Sequence, residues 1–150
     1  MTVYRMAFRE GSQGKSHWEE CRRAGVAAIG YGSLADIDLS RVDLCDPDGL
    51  SPALRERWDE LWEAPKGSLR KVVCHMKAGD VIYVKEGPRI VGRGKVSGPY
   101  QFSADTPIAY DPQDGFRWQH QVPVDWDPAF KAIDIKLGSE LTTVLQLYQM

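Results

Sequence analysis

The chain has 150 residues, a formal net charge of −2 and 43% hydrophobic content, enough for one packed domain over residues 1–150 and too short for two. It has no run near the ~20 apolar residues of a membrane span, and its N-terminus, MTVYRMAFRE, lacks the apolar stretch of a signal peptide. These features exclude a membrane protein and predict a cytoplasmic one.

Val3 to Arg9 reads as a first strand, with Tyr4, Met6 and Phe8 on one face and Val3, Arg5 and Ala7 on the other. After a loop from Glu10 to Lys15, Ser16 and Glu19 form an S-x-x-E capping box, so a helix is expected to start there and stop at Gly25. Val26 to Ile29 is a short buried strand, followed by the turn Gly30-Tyr31-Gly32-Ser33 with its one aromatic. Asp46 to Gly49 is a second turn. Ser51 and Pro52 are the N-cap and first position of a helix over Ala53 to Glu63 that Pro65 closes. Trp58 and Trp62, four apart, share a face of that helix and are expected to pack against the rest. A third helix covers Ser68 to Met76.

The strongest pattern follows. A turn at Lys77 to Gly79 leads into a strand over Asp80 to Lys85, Glu86-Gly87-Pro88 reverses it, and Arg89 to Val96 returns. Ile90, Gly92, Gly94 and Val96 fall on one face of the returning strand, and Arg89, Val91, Arg93 and Lys95 on the other. One face is therefore core and the other basic. The two glycines predict a bent strand or the close approach of another backbone. Asp105 to Gly115 reads as a long loop, Val122 to Trp126 and Phe130 to Ile135 as strands, and Gly138-Ser139 as the cap of a final helix ending near Tyr148. The class is α+β, a small curved, barrel-like mixed sheet flanked by helices.

Charge is unevenly spread. Asp36 to Glu63 holds nine acidic and three basic residues, a local −6, whereas Lys66 to Lys95 holds eight basic and two acidic, a local +6. Such polarity lets one face meet a polyanion, although a pI near 5.9 argues against indiscriminate nucleic-acid binding. Cys21, Cys45 and Cys74, with His17, His75 and His120, make no CxxC or HxxxH pattern, so their spacing supports neither a disulfide framework nor a zinc site. No metal or cofactor is expected. The segment GSQGKS (Gly11 to Ser16) imitates a phosphate loop, but the required first glycine position is Arg9. Lys15 beside a helix start remains a candidate phosphate contact. No nucleophile and base pairing stands out, so the chain is not expected to be an enzyme.

Four stretches carry a resemblance: Trp18 with GVAAIGYGSLADIDLS (Gly25 to Ser40), MKAGDV (Met76 to Val81), IVGRGKVSGPY (Ile90 to Tyr100) and HQVPVDW (His120 to Trp126). Together they resemble EVE-like domains of the PUA superfamily, most of all those at the N-termini of McrB-type modification-dependent restriction proteins, over about Arg5 to Trp126. That superfamily is similar to YTH domains, which hold a methylated base in an aromatic cage at the mouth of a small barrel. The resemblance implies Tyr31 as one cage ring, where many EVE-like relatives carry Trp, and Trp118 as the other, since it precedes Trp126 by the eight residues that separate a cage Trp from a strand Trp in YTH domains. It also implies base-edge contacts from Arg9 and Ser12.

The implied function is a reader of a modified base, DNA favoured over RNA, serving a nuclease or motor partner in a restriction system. A base flipped between Tyr31 and Trp118 would gain ~1 to 3 kcal/mol of stacking. Desolvating its methyl adds only about 0.8 kcal/mol, roughly fourfold, so Ser12, Ser33 or the Gly32 backbone must read the base edge. Arg89, Arg93 and Lys95, with Lys15, would hold phosphates. Two alternatives stand beside this reading: a nucleoside-processing or other small-molecule enzyme, with Lys15, Glu10 or Asp36 as groups to inspect, and a protein-interaction module using Tyr31 and Trp118 as anchors.

Overall fold

The computed structural model describes residues 1–9, 16–30, 34–103 and 118–134, and the backbone of 144–149. Its strands are β1 (Thr2–Met6), β2 (Val26–Ile29), β3 (Val81–Glu86), β4 (Arg89–Val96), β5 (Gln101–Phe102), β6 (His120–Trp126), β7 (Ile133–Asp134) and β8 (Val144–Gln149). Its α-helices are α1 (Trp18–Ala24), α2 (Pro52–Asp59) and α3 (Glu63–Arg70), the last running into a π-helical turn, Lys71–His75. The strands join in the order β2-β6-β4-β3-β1-β8, with β5 added to β6 and β7 to β4. Among the described strands only β1 and β3 pair in parallel. The result is an α+β fold with a curled half-barrel sheet.

The curl comes from β6, which passes from β4 to β2 along the main path of the sheet. Val124 to Trp126 pair with Gly94 to Val96 of β4, while His120 to Pro123 pair with β2. The predicted hairpin is present, β3 turning through Gly87 (φ 60°) and Pro88 into β4. As expected, Ile90, Gly92, Gly94 and Val96 are buried and Arg89, Arg93 and Lys95 exposed. The glycines answer to side chains more than to backbone. A Cβ on Gly92 would stand 2.7 Å from Trp18 Cη2, and one on Gly94 would stand 2.5 Å from Trp126 Cε3 and 2.9 Å from the Asp125 carbonyl oxygen. Both are bare so that indole rings can lie on the strand.

Several expectations are corrected. The capping box does not form: His17 is the N-cap of α1 without a side-chain cap bond, and the Ser16 hydroxyl donates to Glu86 Oε2 at 2.7 Å instead. Glu19 is drawn the other way, accepting from Arg22 at 2.7 Å, so a tertiary and a helical partner outcompete the box. Gly25 does end the helix, in the left-handed conformation. Ser51 caps α2 as predicted, accepting from Leu54 N–H, but the helix stops at Asp59. Pro65 then lies inside the first turn of α3, where a missing N–H costs nothing, so it belongs to the next helix rather than closing the previous one. The expected helix over Ser68 to Met76 is the end of α3 plus the π-helical turn. Breaking the helix separates the two tryptophans: Trp58 is 2% exposed beneath Arg70, whereas Trp62, the N-cap of α3, is 81% exposed.

Where the structure describes the expected C-terminal helix, over Val144–Gln149, it is instead strand β8, antiparallel to β1; the expected Gly138-Ser139 cap lies outside the described residues. All five residues of β1 are buried, so its edge needs a partner, and the Val-Leu-Gln-Leu-Tyr-Gln run satisfies that edge better as strand than as helix. Between Phe130 and Asp134 only Ile133–Asp134 pairs, with β4. Finally, Cys45 and Cys74 form a disulfide, Cα to Cα 6.2 Å, which overturns the expectation from spacing. The two lie 29 residues apart, and the Arg70 to Leu44 hydrogen bond holds their segments side by side.

Candidate functional site

Trp118 enters the fold immediately before β6 and is 3% exposed. Its ring meets His17 edge-on at 5.0 Å and Phe8 at 6.5 Å. Phe8 stacks on Trp18 at 6.1 Å, and Trp18 meets Trp126 edge-on at 4.8 Å. The rings therefore form a continuous row from Trp126, over Gly92 and Gly94, to Trp118 and His17. His17 is fixed from both sides: its N–H donates to the Phe8 carbonyl at 2.7 Å, and its Nδ1–H to Glu20 Oε2 at 2.6 Å. Trp126 Nε1–H donates to the Val26 carbonyl at 3.3 Å, which anchors the far end.

A second device sits two residues beyond Trp118. His120 is fully buried, its Nε2–H donating to the Leu34 carbonyl and its Nδ1 accepting from the Tyr100 hydroxyl, both at 2.7 Å. The same hydroxyl accepts from Leu39 N–H at 3.2 Å. Burial lowers the His120 pKa against the pull of the Leu34 carbonyl, Asp38 and Asp36, and burial likewise raises Tyr100. A neutral imidazole thus bolts Leu34, the residue that follows the stretch 31–33, to the strand that follows Trp118. Sequence reasoning missed this role, because a histidine in an H-Q-V-P-V strand advertises no partners. It also missed Gln119, whose Oε1 is buried without a hydrogen-bond partner among the described residues.

Tyr31, Gly32, Ser33, Ser12 and Lys15 lie outside the described residues. Arg9 stands half-buried just beyond β1. The three expected strand cations are separated from the rings: Gly92 and Gly94 face Trp18 and Trp126, so Arg93 and Lys95, on alternate positions, face the opposite side of β4. Each cation also has a carboxylate on a neighbouring segment, two of them in ion pairs. Arg89 pairs with Asp134 at 2.8 Å, Arg93 with Asp127 at 3.1 Å, and Lys95 is the register partner of Asp125. On that side Arg93, Lys95, Asp125, Asp127 and Tyr83 line an open cleft of about 410 Å³. Such a cleft can bind a polar, zwitterionic or phosphorylated group, but it is not a bare cationic surface.

Among the described residues, one group could hold a metal ion, Cys45 with Cys74 and His75, remote in sequence from the ring row. The family model of a domain of unknown function, DUF8426, matches residues 4–148. The chain belongs to that family. The match spans β1 through nearly all of β8, so the ring row, the His120 bolt and the cysteine pair all fall within the family's domain. No curated protein matches the chain. Among the described residues no helix is long and apolar enough to cross a membrane.

Proposed function

We propose that this chain reads a modified base in nucleic acid, DNA in preference to RNA, with the base stacked on Trp118 and Tyr31, as the specificity module of a restriction or related system whose nuclease or motor is a partner. The observation that carries the reading is the placement of Trp118. It stands with Phe8 and His17 at one junction of the fold, Arg9 follows Phe8 in the chain, and the His120 bolt ties the strand after Trp118 to Leu34. These residues flank the stretches 10–15, 31–33 and 104–117, two of which the EVE-like resemblance furnishes with base contacts. A half-barrel with an aromatic at such a junction suits a flat, partly apolar ligand.

At 3% exposure Trp118 offers its face only when a base displaces what covers it, so binding couples to a local opening. Arg93 and Lys95, on the other side of β4, would meet phosphates of the flanking nucleic acid rather than those beside the flipped base. The exposed Arg93–Asp127 ion pair is worth about 0 to 1 kcal/mol, so a phosphate can replace that carboxylate at small cost. Gln119 Oε1 has no donor among the described residues, and the exocyclic amino group of cytosine or adenine would supply one.

The test is a titration at fixed salt with matched oligonucleotides that are unmodified or carry 5-methylcytosine, 5-hydroxymethylcytosine or N6-methyladenine. The expected result is preference for one probe, lost in Tyr31→Ala and weakened in Trp118→Phe, which keeps the packed ring. Equal binding to all probes, or to none, would overturn the reading. A second reading has its own observation: Trp62, exposed on the opposite charge block, is a ready anchor for a protein partner.

A further inference from the structure

Away from the rings, the acidic segment meets the end of α3 at a cluster of donor side chains that base reading does not use. Leu44 is 1% exposed, so its neighbours Asp43 and Cys45 both project outward. Arg70 Nε–H donates to the Leu44 carbonyl at 3.2 Å and ties this segment to α3. The π-helical turn that follows carries Cys74 and His75 on consecutive positions, a widened turn of the kind that recurs at functional sites. His75 Nε2 lies 3.9 Å from Cys45 Sγ, and Asp43 Oδ1 lies 4.0 Å from Cys74 Sγ. The Asp43 carboxylate is itself held in place by the Cys45 N–H at 2.9 Å.

We infer that Cys45, Cys74 and His75, with Asp43 as the fourth donor, form a site for a thiophilic divalent cation such as zinc when the Cys45–Cys74 bond is reduced. The donor atoms of the first three lie within 4.8 Å of one another. A tetrahedral zinc with bonds of ~2.3 Å to sulfur and ~2.0 Å to nitrogen sets neighbouring donors roughly 3.3 to 3.8 Å apart. The Cys45–His75 and Cys74–Asp43 edges, at 3.9 and 4.0 Å, need to close by only a few tenths of an ångström, whereas the two sulfurs, ~2 Å apart while bonded, part by roughly 1.7 Å after reduction by turning their side chains. Two thiolates, an imidazole and a carboxylate select zinc over magnesium or calcium. The surrounding segment, with Asp46 and Asp48 close in sequence, adds negative charge that favours a cation.

The chemistry balances with a thiol reductant as co-reactant. Two electrons and two protons from a dithiol break the Cys45–Cys74 bond and leave two thiols, and the dithiol becomes a disulfide. The metal then displaces both thiol protons and takes the neutral imidazole and the carboxylate as they are. Either form clamps the Asp43 to Cys45 segment to the end of α3, covalently in an oxidising compartment and through the metal in a reducing one. Cys21 takes no part: it is buried, and burial pushes its thiol up to about 12.

The test reduces the full chain with a dithiol, removes the reagent without oxygen, counts free thiols, and titrates Co²⁺ while following thiolate-to-metal charge-transfer absorption, then displaces it with Zn²⁺. One equivalent is expected to bind, the oxidised chain is expected to bind none, and this contrast needs no variant. Cys45→Ser, Cys74→Ser and His75→Ala, with folding checked by circular dichroism, are expected to lose the band or weaken binding more than 100-fold. Asp43→Asn, which replaces an anionic oxygen donor by a weaker neutral one and leaves the three other donors, is expected to weaken it by at least about 10-fold. Cys21→Ser is expected to bind as wild type. A disulfide that native reduction leaves intact, a reduced chain without the band, or a band that survives Cys45→Ser would overturn the site.

Discussion

The two faces of β4 are held by different physics. On the inner face Gly92 and Gly94 leave room for Trp18 and Trp126, and the row continues through Phe8 to Trp118 and His17, with Phe8 and Trp118 buried and the other three rings partly so. On the outer face Arg89, Arg93 and Lys95 stand in solvent opposite Asp134, Asp127 and Asp125. Apolar burial is worth about 25 cal/mol per Å², so large rings contribute kilocalories each, while exposed ion pairs contribute about 0 to 1 kcal/mol. Stability therefore resides inside, and the outer face can change partners freely. A ligand that enters the inner face has to work against the fold's own packing, which favours selectivity over affinity.

The largest way to break this contrast is to open the row at its centre. Phe8→Ala, at a site 1% exposed with three ring neighbours, is expected to cost about 3 to 5 kcal/mol in denaturant unfolding. A loss below about 1 kcal/mol would mean that the rings are not a common core.

The His120 bolt gives the next effect, through pH. Its pKa in the fold is lowered below the unfolded value of about 6.5, so the unfolded chain takes up a proton that the fold refuses. The bolt's contribution is complete above that value and falls as pH drops through it towards the folded pKa, with a slope of up to about 1.4 kcal/mol per pH unit. Comparing wild type with His120→Asn across pH 5 to 8 should show this loss only in wild type; parallel curves would refute the neutral, bolted imidazole.

The outer face should give the smallest stability effect. Asp127→Asn removes the partner of Arg93 and is expected to change stability by no more than about 0.5 kcal/mol while strengthening binding to an oligonucleotide. Stronger destabilisation, or weaker binding, would show that the pair belongs to the framework.

Local signals in the sequence located what local physics decides. The β3–β4 hairpin, its inward glycines, the Ser51 cap and the Gly25 stop all depend on residues within a few positions. What failed depends on distant ones. The helix expected near the C-terminus is β8 because β1 has an edge to fill at the other end of the chain. Ser16 left its capping box for Glu86, 70 residues away, and Cys45 found Cys74 across 29. Of the candidate site, Trp118 was found by its interval to Trp126, but not its burial. The cations of β4 were found by alternation, but not the aspartates opposite them, which come from later strands and turns. His120 was passed over because its partners, Leu34 and Tyr100, stand 86 and 20 residues away.

The central claim is that the two faces serve binding separately, rings for the base and cations for the backbone. The salt dependence of affinity for modified and unmodified oligonucleotides, measured on wild type and Arg93→Ala, tests it most directly. The account predicts that Arg93→Ala lowers the slope of log K against log salt by up to about 1 for both probes and leaves their affinity ratio unchanged. A ratio that collapses in Arg93→Ala, or a wild type that shows no salt-dependent binding at all, would contradict it.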